Sequence, residues 1–391
     1  MHLALAIGAF SFGVGELALM GLTPEVAIGL GVPEQQVGHA ISAYALGVVI
    51  GAPCLVIVGA SVRPKNLIAM LIATSFLANV GSALSTNYAM LVSFRFLAGF
   101  PHGAYFGLAS MLAASIVGPE RRAAAVSRVV FGITVAMVIG TPISTYLGQQ
   151  CGWSSAFWLV ACLALVALCL VIVFVPATRQ EAPSRPLAQA RALMRVDFWM
   201  GLLIGAVGFI GLFAVLADIA PVFLHVTSVD ERWIPIGLAI FGVGAVIGNL
   251  TGGWLFDKLK FQSILLILVW NTFALLVFTT ASHSHLTVMV GTFTLGTTLA
   301  LAPSLQTFVM DAAKGAQALA GALNQAAFNI ANALGPLFGG LAISGGFGWS
   351  SPAYIGIVAS LIGAILCVYT RSALPVDVND QATFNHDTDV K

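Results

Sequence analysis

Charged residues are scarce in this sequence: Lys, Arg, Asp and Glu together make up only 8% of its 391 residues. Soluble domains carry about 25% charged residues. With 59% hydrophobic residues and a mean hydropathy of +0.98, the chain cannot cover its own surface with polar groups in water. The scarcity of charge therefore excludes an ordinary soluble protein and indicates that lipid is the main solvent.

Three kinds of motif are also missing from the sequence. It has no basic cluster interleaved with aromatic residues, which argues against nucleic acid as a partner. It has no GxxxxGK[ST] phosphate-binding loop, which argues against an ATP-driven pump. Its five cysteines show no metal-ligand spacing and mostly lie in apolar runs, where cysteine is a small packing residue. We therefore expect no metal and no cofactor.

Long hydrophobic runs are abundant. A helix needs roughly 20 apolar residues to cross a bilayer, and runs this uniformly apolar do not suit barrel strands. The first run lacks a basic leader, so we expect it to be retained and not cleaved as a signal. The predicted spans 1 to 12 are 3–22, 37–60, 66–84, 88–117, 129–150, 153–175, 198–222, 234–256, 262–282, 286–310, 317–345 and 352–370. The expected fold is an all-α integral membrane protein with twelve transmembrane helices.

The predicted loops differ in charge between the two sides of the membrane. The loops that follow odd-numbered spans hold one basic residue, Arg232. The loops that follow even-numbered spans hold twelve, namely Arg63, Lys65, Arg121, Arg122, Arg128, Arg179, Arg185, Arg191, Arg195, Lys258, Lys260 and Lys314. Because basic loops favour the cytoplasm, we expect both termini to be cytoplasmic.

The chain divides near its midpoint. The longest polar connection, PATRQEAPSRPLAQARALMRVD at 176–197, holds three prolines and four arginines. Three matches share an offset of 197 residues: AIGAFSFG at 6–13 with LIGAVGFIG at 203–211, GVVIGAP at 47–53 with GAVIGNL at 244–250, and Phe131 with Phe328. We therefore predict an N-terminal six-helix bundle (1–175), a cytoplasmic linker (176–197), a C-terminal six-helix bundle (198–372) and a cytoplasmic tail (373–391). Such a repeat is typical of transporters with a site between two halves.

Four ionisable groups lie inside predicted spans: Glu16, Arg95, His102 and Asp218. A charge at the centre of a membrane helix costs about 2.5–3.5 kcal/mol on insertion scales, so such a group usually faces a cavity or a partner. Because burial disfavours the ionised form of a carboxyl group, Glu16 is suited to carry a proton; pairing with a polar neighbour for packing is the alternative. Asp218 is a second proton site, a contact for a cationic substrate, or a solvated residue near the outer surface.

Span 4 reads RFLAGFPHGAYFG. Small residues four positions apart on one helical stripe let a second helix approach closely, and Pro101 allows a kink. We expect Arg95 to stabilise a nearby carboxylate and to take part in proton coupling, whereas His102 either lines a substrate cavity or is structural. The stripe consists of Arg95, Gly99, Gly103 and Gly107.

Spans 5 and 11 carry matching breaks and a polar stripe. A glycine and a proline lie close together in each of these spans: Gly140 and Pro142 in GITVAMVIGTPISTYLG of span 5, and Gly335 and Pro336 in NIANALGPLFGG of span 11. These residues suit either tight packing between helices or a flexible gating helix. Three amide side chains of span 11 are spaced by four and three residues, which places them on one helical face. The stripe suits a wet substrate cavity or hydrogen bonding between helices, and its members are Gln325, Asn329 and Asn332.

The twelve-span plan, RFLAGFPHGAYFG and the segment at 140–142 resemble the major facilitator superfamily over essentially the whole chain. GELALMGLTPEVA, HGAYFGLASMLAAS and GNLTGGWLFDKL are similar to the arabinose-efflux-permease-like branch of the drug:H+ antiporters. The resemblance implies two pseudo-symmetric six-helix bundles around a cavity that opens to alternate sides. It also implies a monomer in a bacterial inner membrane that exchanges a small molecule for protons. Glu16 then matches the family's acidic position in span 1, and Arg95 its arginine in span 4.

The chain departs from the family pattern in two places. The loop between spans 2 and 3 should resemble Gly-x-x-x-Asp-Arg-x-Gly-Arg-Lys but reads GASVRPKN, without the acid. The second-half copy, GGWLFDKLK, retains Asp257 and Lys258, to which we assign a gating role. The span 5 motif also reads Gly-Thr-Pro where the family has Gly-Pro.

The sequence thus predicts a proton-coupled secondary transporter that exports a small organic molecule (a drug, a sugar or a metabolite) by alternating access. A proton-coupled importer or facilitator of a small polar solute is the alternative within transport. An integral membrane enzyme would need a nucleophile–base set or a metal cluster, and neither spacing is present. A membrane sensor would need a sizeable soluble output domain, and the longest polar stretches are the linker and the tail.

Overall fold

The computed structural model describes residues 1–59, 62–115, 122–176, 195–281, 284–313 and 317–373. Within these ranges the chain is almost entirely helical and contains no β-strand. Nine helical runs in them are long and apolar enough to cross a membrane, and His2–Leu17 is a shorter apolar helix. Residues 177–194 of the predicted linker, 374–391 of the predicted tail, Arg121 and Lys314 lie outside the described ranges.

Among the first six spans, spans 3 and 4 begin at sequence features that favour a helix start. Asn87 caps span 4 by accepting a hydrogen bond from the Met90 amide at 2.9 Å. Pro64 opens span 3 in the first turn, where a missing N–H leaves no bond unmade. The spans are His2–Leu17 with Thr23–Leu30 (span 1), Glu34–Val58 (span 2), Pro64–Ala83 (span 3), Tyr88–Gly99 with His102–Ser115 (span 4), Arg122–Val135 with Ala136–Gly140 and Thr141–Cys151 (span 5), and Ser154–Phe174 (span 6).

The second six spans follow the same plan, and the twelve-helix prediction is confirmed. Pro235 opens span 8 as Pro64 opens span 3. The spans are Val196–Gly208 with Ile210–Ala217, Ile219–Pro221 and Val222–Val226 (span 7), Ile234–Leu259 (span 8), Phe261–Ala281 (span 9), His285–Thr297 with Thr298–Ala300 and Leu301–Ala312 (span 10), Gln317–Ala342 with Ile343–Phe347 (span 11), and Ser351–Ala373 (span 12).

Spans 1 and 7 are broken helices, which the sequence analysis did not predict. Span 1 turns after Leu17, resumes at Thr23 and ends at Gly31, whose left-handed φ of 65° closes the helix. The predicted end of span 1 at residue 22 falls in the turn between the two helices of this span. Span 7 is interrupted at Asp218. Broken spans at equivalent places are where transporters build their binding sites.

Within each half, two spans pack through glycines at matching positions. A Cβ atom on Gly47 or Gly51 of span 2 would collide with a carbonyl oxygen of span 4, and one on Gly99 would collide with a carbonyl oxygen of span 2. Gly244, Gly248 and Gly296 make the same approach between spans 8 and 10. Each member of the second set lies 197 residues after its counterpart. The repeat is therefore a repeat of close backbone packing, and the two bundles are pseudo-symmetric.

The predicted glycine stripe of span 4 is only partly used. A Cβ on Gly103 would stand 2.6 Å from the Ala52 Cβ of span 2, so Gly103 extends the close approach made by Gly99. Among the described residues, no atom outside the backbone of its own helical turn lies within 4 Å of the place where a Cβ on Gly107 would stand. The structure therefore gives Gly107 no part in this packing.

The two halves meet through span 2 against span 11 and span 5 against span 8. Ser42 Oγ donates to the Ala333 carbonyl oxygen at 2.7 Å, and Thr23 Oγ1 donates to the Ala217 carbonyl oxygen at 3.2 Å. Gln149 reaches the segment between spans 7 and 8. These contacts lie toward the end of the molecule that carries the connections between spans 1 and 2 and between spans 7 and 8, here called the loop 1–2 end. The halves are closed together at that end.

The opposite end, where the N-terminus lies, carries a cavity of about 460 Å³. The first turns of span 1 and span 5, both in the N-terminal half, line this cavity through His2, Leu3, Ala6, Arg128 and Phe131. Contact between the halves at one end is a feature of one of the two states that alternating access requires.

Candidate functional site

Glu16 lies in the last turn of the first helix of span 1, directly before the break, and is 7% exposed. Its Oε1 accepts a hydrogen bond from Nδ2 of Asn332 in span 11, at 2.9 Å. Its Oε2 lies 4.0 Å from Nε2 of His102 in span 4. The carboxyl group therefore stands at the interface of the two halves and contacts both.

Arg95 of span 4 is completely buried beside Glu16. Its Nη2 donates to the backbone carbonyl oxygen of Glu16 at 3.4 Å, and not to the carboxylate. The guanidinium carbon lies 4.4 Å from the centre of the Tyr44 ring and 5.5 Å from that of Phe157. A desolvated cation over an aromatic face gains about 2 kcal/mol, which offsets part of the cost of burial. The guanidinium group of Arg95 therefore lies beside Glu16 and bonds to its backbone and not to its carboxyl group.

His102 belongs to the same cluster. Its Nδ1 lies 2.7 Å from the Tyr44 hydroxyl oxygen, and its ring packs against Phe12 and Phe106, with centroid distances of 5.5 and 4.9 Å. From the sequence, His102 is expected either to line a substrate cavity or to be structural. The structure buries it between aromatic rings, with its second nitrogen facing Glu16. Tyr44 connects the two basic residues, because Arg95 stacks on its ring and His102 contacts its hydroxyl.

The sequence analysis missed Tyr44. A tyrosine in an apolar helix is not marked as functional by the sequence alone, because its ring packs as that of phenylalanine does. The available signal was the repeat: the counterpart of Tyr44 at the 197-residue offset is Phe241. A hydroxyl present in one copy and missing in the other marks a place where the halves differ in chemistry.

The three amides of span 11 do not act alike. Asn332 is fully buried and donates to Glu16 in the other half. Asn329 donates to the Gln325 carbonyl oxygen of its own helix at 3.0 Å, and its Oδ1 is buried without a partner. Asn324, which the sequence analysis did not select, donates to Gln306 of span 10 at 2.6 Å. Hydrogen bonding between helices therefore accounts for Asn332, whereas Oδ1 of Asn329 is a hydrogen-bond acceptor without a partner.

Asp218 stands at the break of span 7 and is 4% exposed. This burial rules out the solvated interpretation. Its Oδ2 has no hydrogen-bond partner and lies 3.2 Å from the position of a Cβ on Gly339. In the described part of the chain, no hydrogen bond or ion pair joins Asp218 to the cluster around Glu16. It is thus a separate buried acid, closer to the loop 1–2 end.

The predicted gating glycines and prolines lie where spans cross. Gly140 ends a π-helical turn before Pro142, and a Cβ on it would collide with Val14 of span 1. Gly335, next to the in-helix Pro336, would bring a Cβ within 2.6 Å of the Ala214 amide nitrogen of span 7. The packing of span 5 against span 1 in the N-terminal half therefore matches the packing of span 11 against span 7 in the C-terminal half.

Among the described residues, no hydrogen bond or ion pair joins the predicted gate pair of span 8 to the other half. The Lys258 ammonium lies 4.2 Å from the centre of the Trp254 ring, one turn earlier in the same helix. Asp257 is exposed. Both residues lie at the end of the molecule that carries the N-terminus, opposite the loop 1–2 end.

No group of three or more His, Cys, Asp or Glu side chains that could hold a metal ion occurs among the described residues. The site is instead a carboxyl group, an imidazole, a phenol and a guanidinium from one half, with an amide from the other. Such a set can bind and release a proton and can change its contacts between the halves when it does.

Comparison with known proteins agrees with this architecture. The sequence profile of the Major Facilitator Superfamily matches residues 5–269 and 235–386. The inner membrane transport protein YdhP of Escherichia coli K12 is 34% identical over 381 residues, covering 96% of this chain and 97% of that protein. The putative transporter AraJ of the same strain is 31% identical, covering 92% and 91%. A probable sugar efflux transporter of Helicobacter pylori is 26% identical, covering 94% and 93%.

The fold also matches solved transporters. The partially occluded, inward-open structure of the E. coli xylose transporter XylE superposes with a TM-score of 0.75 at 16% identity, covering 93% of this chain and 95% of that one. At this identity the likeness shows the fold.

Proposed function

As a member of the Major Facilitator Superfamily this chain is a membrane transporter, and we propose that it exports a small organic molecule in exchange for protons. The observation that carries the proposal is Glu16, a buried carboxyl group at the break of span 1 that contacts both halves. A carboxyl group in such a place is costly when ionised and uncharged when protonated. Its protonation therefore changes the free energy of any state in which it is buried.

The proposed cycle uses one site in two states. With the loop 1–2 end facing the outside, as the basic loops indicate, Glu16 takes up a proton while that end is open. Neutralisation favours closure at the loop 1–2 end, which is the state of this structure. Substrate from the cytosol then enters through the open end as the proton leaves, and the substrate-loaded protein reopens outward.

Arg95 and His102 adjust the proton affinity of the Glu16 carboxyl group. Arg95 holds a positive charge next to Glu16 and favours release of the proton once water reaches the site. His102, fixed by the Tyr44 hydroxyl at 2.7 Å, presents its other nitrogen to Glu16. We assign Asp218 a second role, either in proton transfer or in recognition of a cationic substrate, because it is buried and its Oδ2 has no partner.

The substrate is proposed to be a small polar organic compound. Asn329 offers an unpartnered amide oxygen next to the half-buried Gln325, which suits hydroxyl or amino donors. The relative described as a probable sugar efflux transporter supports both export and this chemistry. An inner-membrane relative supports a bacterial inner membrane location. We also propose that the chain works as a monomer of two six-helix halves.

Uptake or facilitated movement of a polar solute is the second candidate, because the direction depends on the order in which proton and substrate bind. No observation favours an enzyme: the chain belongs to a family of transporters, and the central cluster lacks a metal-ligand set within the described residues.

The test uses inside-out vesicles with an acidic interior, read by a pH-sensitive dye. Sugars, nucleosides, amines and drugs are added one at a time. We expect proton release from the lumen on addition of one compound, and loss of that release in Glu16→Gln. The matched control is Glu231→Gln, the same chemical change at an exposed position outside the cluster.

Full gradient-driven transport by Glu16→Gln would contradict the proton role of Glu16. Proton entry into the lumen together with substrate, in place of release, would favour uptake. Transport that continues unchanged without a proton gradient would favour a facilitator.

A further inference from the structure

The hydrogen bond between Asn332 and Glu16 joins side chains of the two halves in the buried centre of the molecule. Asn332 is fully buried in span 11, and its Oδ1 has no hydrogen-bond partner. An amide carries a donor and an acceptor on the same planar group. In this arrangement Glu16 uses the donor, and the acceptor remains unpaired.

The unpaired acceptor makes the contact sensitive to the charge of Glu16. An ionised carboxylate can only accept hydrogen bonds, so it leaves Asn332 Oδ1 unpaired. A protonated carboxyl group has an O–H that can donate to an amide oxygen while its carbonyl oxygen still accepts from the amide N–H. Protonation therefore allows two hydrogen bonds where ionisation allows one, and an acceptor left unpaired in a buried place is destabilising.

The other groups that face Glu16 belong to the same half as Glu16. Among the described residues they are His102 and Arg95 of span 4 and Tyr44 of span 2. Because they stay with Glu16 when the halves separate, they affect its proton affinity in both states. Asn332 belongs to the other half, so its hydrogen bond to Glu16 forms only when the two halves are in contact at this point. A difference in proton affinity between the two states can therefore come from such a residue, in addition to the change in access of water to the site.

Among the described residues, the other buried hydrogen bonds between the halves involve no titratable group. Ser42 donates to the Ala333 carbonyl oxygen next to Asn332, and Thr23 donates to that of Ala217. Their strength does not depend on a proton at the centre of the molecule. The bond of Asn332 is thus the buried link that a proton on Glu16 can strengthen.

We propose that Asn332 is the positioning residue through which the C-terminal half senses the proton on Glu16: it favours closure of the loop 1–2 end when Glu16 is protonated and releases that end when Glu16 is ionised. The inference rests on the proposed function, because it gives the proton on Glu16 its effect on the conformation. Asn332 thereby links proton binding to the exchange of states, and Asn329 and Gln325 remain the amides available to substrate.

The test measures closure of the loop 1–2 end as a function of pH in the full chain. Spin labels are placed at Ile28 and Phe347, which are 83% and 79% exposed on opposite halves at that end, after the five native cysteines are replaced. Distances are measured by double electron–electron resonance in lipid nanodiscs. We expect the closed population of the unaltered protein to rise as the pH falls.

Asn332→Leu keeps the approximate volume and removes the amide. We expect the effect of pH on the closing equilibrium to shrink by about tenfold, within the range typical of coupling between two sites. The matched control is Asn271→Leu, a buried asparagine of span 9 in the same half that is not part of the central site. The control should keep the pH dependence of the unaltered protein.

Glu16→Gln should stay closed at every pH, because a neutral glutamine amide can pair with Asn332 by two hydrogen bonds. Adding Asn332→Leu to it should reopen the loop 1–2 end. If Asn332→Leu does not give monodisperse protein, Asn332→Ala takes its place.

The outcomes separate this inference from the proposed function. Unchanged pH dependence in Asn332→Leu, with pH dependence lost in Glu16→Gln, would overturn the role of Asn332 and leave Glu16 as the proton site. Unchanged pH dependence in both variants would overturn the role of Glu16 as well. A flattened response in Asn271→Leu equal to that in Asn332→Leu would show a general effect of buried asparagines and would overturn the inference.

Discussion

The two halves of this protein share a scaffold and differ in chemistry. The close glycine packing of span 2 on span 4 recurs between spans 8 and 10 at an offset of 197 residues. The polar cluster does not recur. At the same offset, the counterparts of Glu16, Tyr44, Arg95 and His102 are Phe213, Phe241, Thr292 and Leu299. The N-terminal half carries the charge, and the C-terminal half fills the equivalent places with apolar or small neutral side chains.

This difference shows which properties a repeat preserves. Close backbone approach needs glycine at fixed places, so both copies keep it for folding. A buried charge costs free energy in either half. A charged cluster in one half is therefore sufficient if a single site couples proton binding to transport. The C-terminal half contributes amides where the N-terminal half has none: Asn332 and Asn329 correspond to Val135 and Gly132. The site becomes complete only when the halves meet.

The largest expected effect tests the shared scaffold. Gly99→Ala and its counterpart Gly296→Ala each place a Cβ against a backbone carbonyl of the neighbouring span. Overpacking of this kind costs about 1–3 kcal/mol, and backbone yields less easily than side chains do. We expect both variants to lower the thermal unfolding midpoint in detergent to a similar extent, read by intrinsic fluorescence.

Two other glycines provide the controls. Gly107→Ala and Gly253→Ala each place the new Cβ in open space, so both should unfold close to the temperature of the unaltered protein. A large loss in only one of Gly99→Ala and Gly296→Ala would mean that the scaffold is less symmetric than the contacts indicate.

Most of the fold could be predicted from the sequence, because long apolar runs have few structural solutions in a bilayer. Twelve runs, and the offset shown by GVVIGAP and GAVIGNL, were enough for two six-helix halves. The breaks in spans 1 and 7 could not be predicted in the same way. Residues 18–22 are as apolar as their neighbours, so hydropathy does not reveal a helix that bends because other spans pack against it.

A smaller effect is expected when the N-terminal half is made to resemble the other one. Tyr44→Phe removes the hydroxyl that contacts His102 and keeps the ring under Arg95. The lost hydrogen bond is worth about 1 kcal/mol, so the protein should fold. We expect gradient-driven transport to fall several-fold, since the His102 ring is no longer fixed toward Glu16. Transport in the vesicle assay is the measurement.

The reciprocal change is predicted to harm folding more than transport. Phe241→Tyr puts a hydroxyl in a buried place where the counterpart of His102 is a leucine. An unpaired buried hydroxyl costs about 1–3 kcal/mol. If Phe241→Tyr reduced transport per folded molecule as strongly as Tyr44→Phe, the two halves would share the chemistry that we assign to one.

The site could be predicted only in part. Glu16, Arg95 and His102 stand out because ionisable groups are rare in spans, and the structure brings all three together. The partner Asn332 could be placed on a polar stripe but not against Glu16, because 316 positions separate them and no local pattern reports which spans cross. Asp218 stood out for the same reason as Glu16, yet it lies apart from the cluster.

The smallest expected effect concerns the surface of the contact between the halves. His225 of span 7 lies 3.2 Å from Glu34 at the start of span 2 and stacks on Trp349, with ring centroids 5.0 Å apart. The side chains of His225 and Glu34 are 44% and 21% exposed, and exposed pairs are worth about 0.2–1 kcal/mol. Because the pair joins span 7 of one half to span 2 of the other, it should add slightly to closure of the loop 1–2 end.

Glu34→Gln should therefore lower the closed population slightly, as read with the spin labels at Ile28 and Phe347. Added salt should reduce the difference from the unaltered protein, because salt screens exposed charges. Gln149→Ala is the control: its bond to the Glu231 carbonyl oxygen at 3.0 Å is uncharged and should not respond to salt. An effect of Glu34→Gln as large as that of Asn332→Leu would mean that the exposed contact contributes as much to closure as the buried centre does.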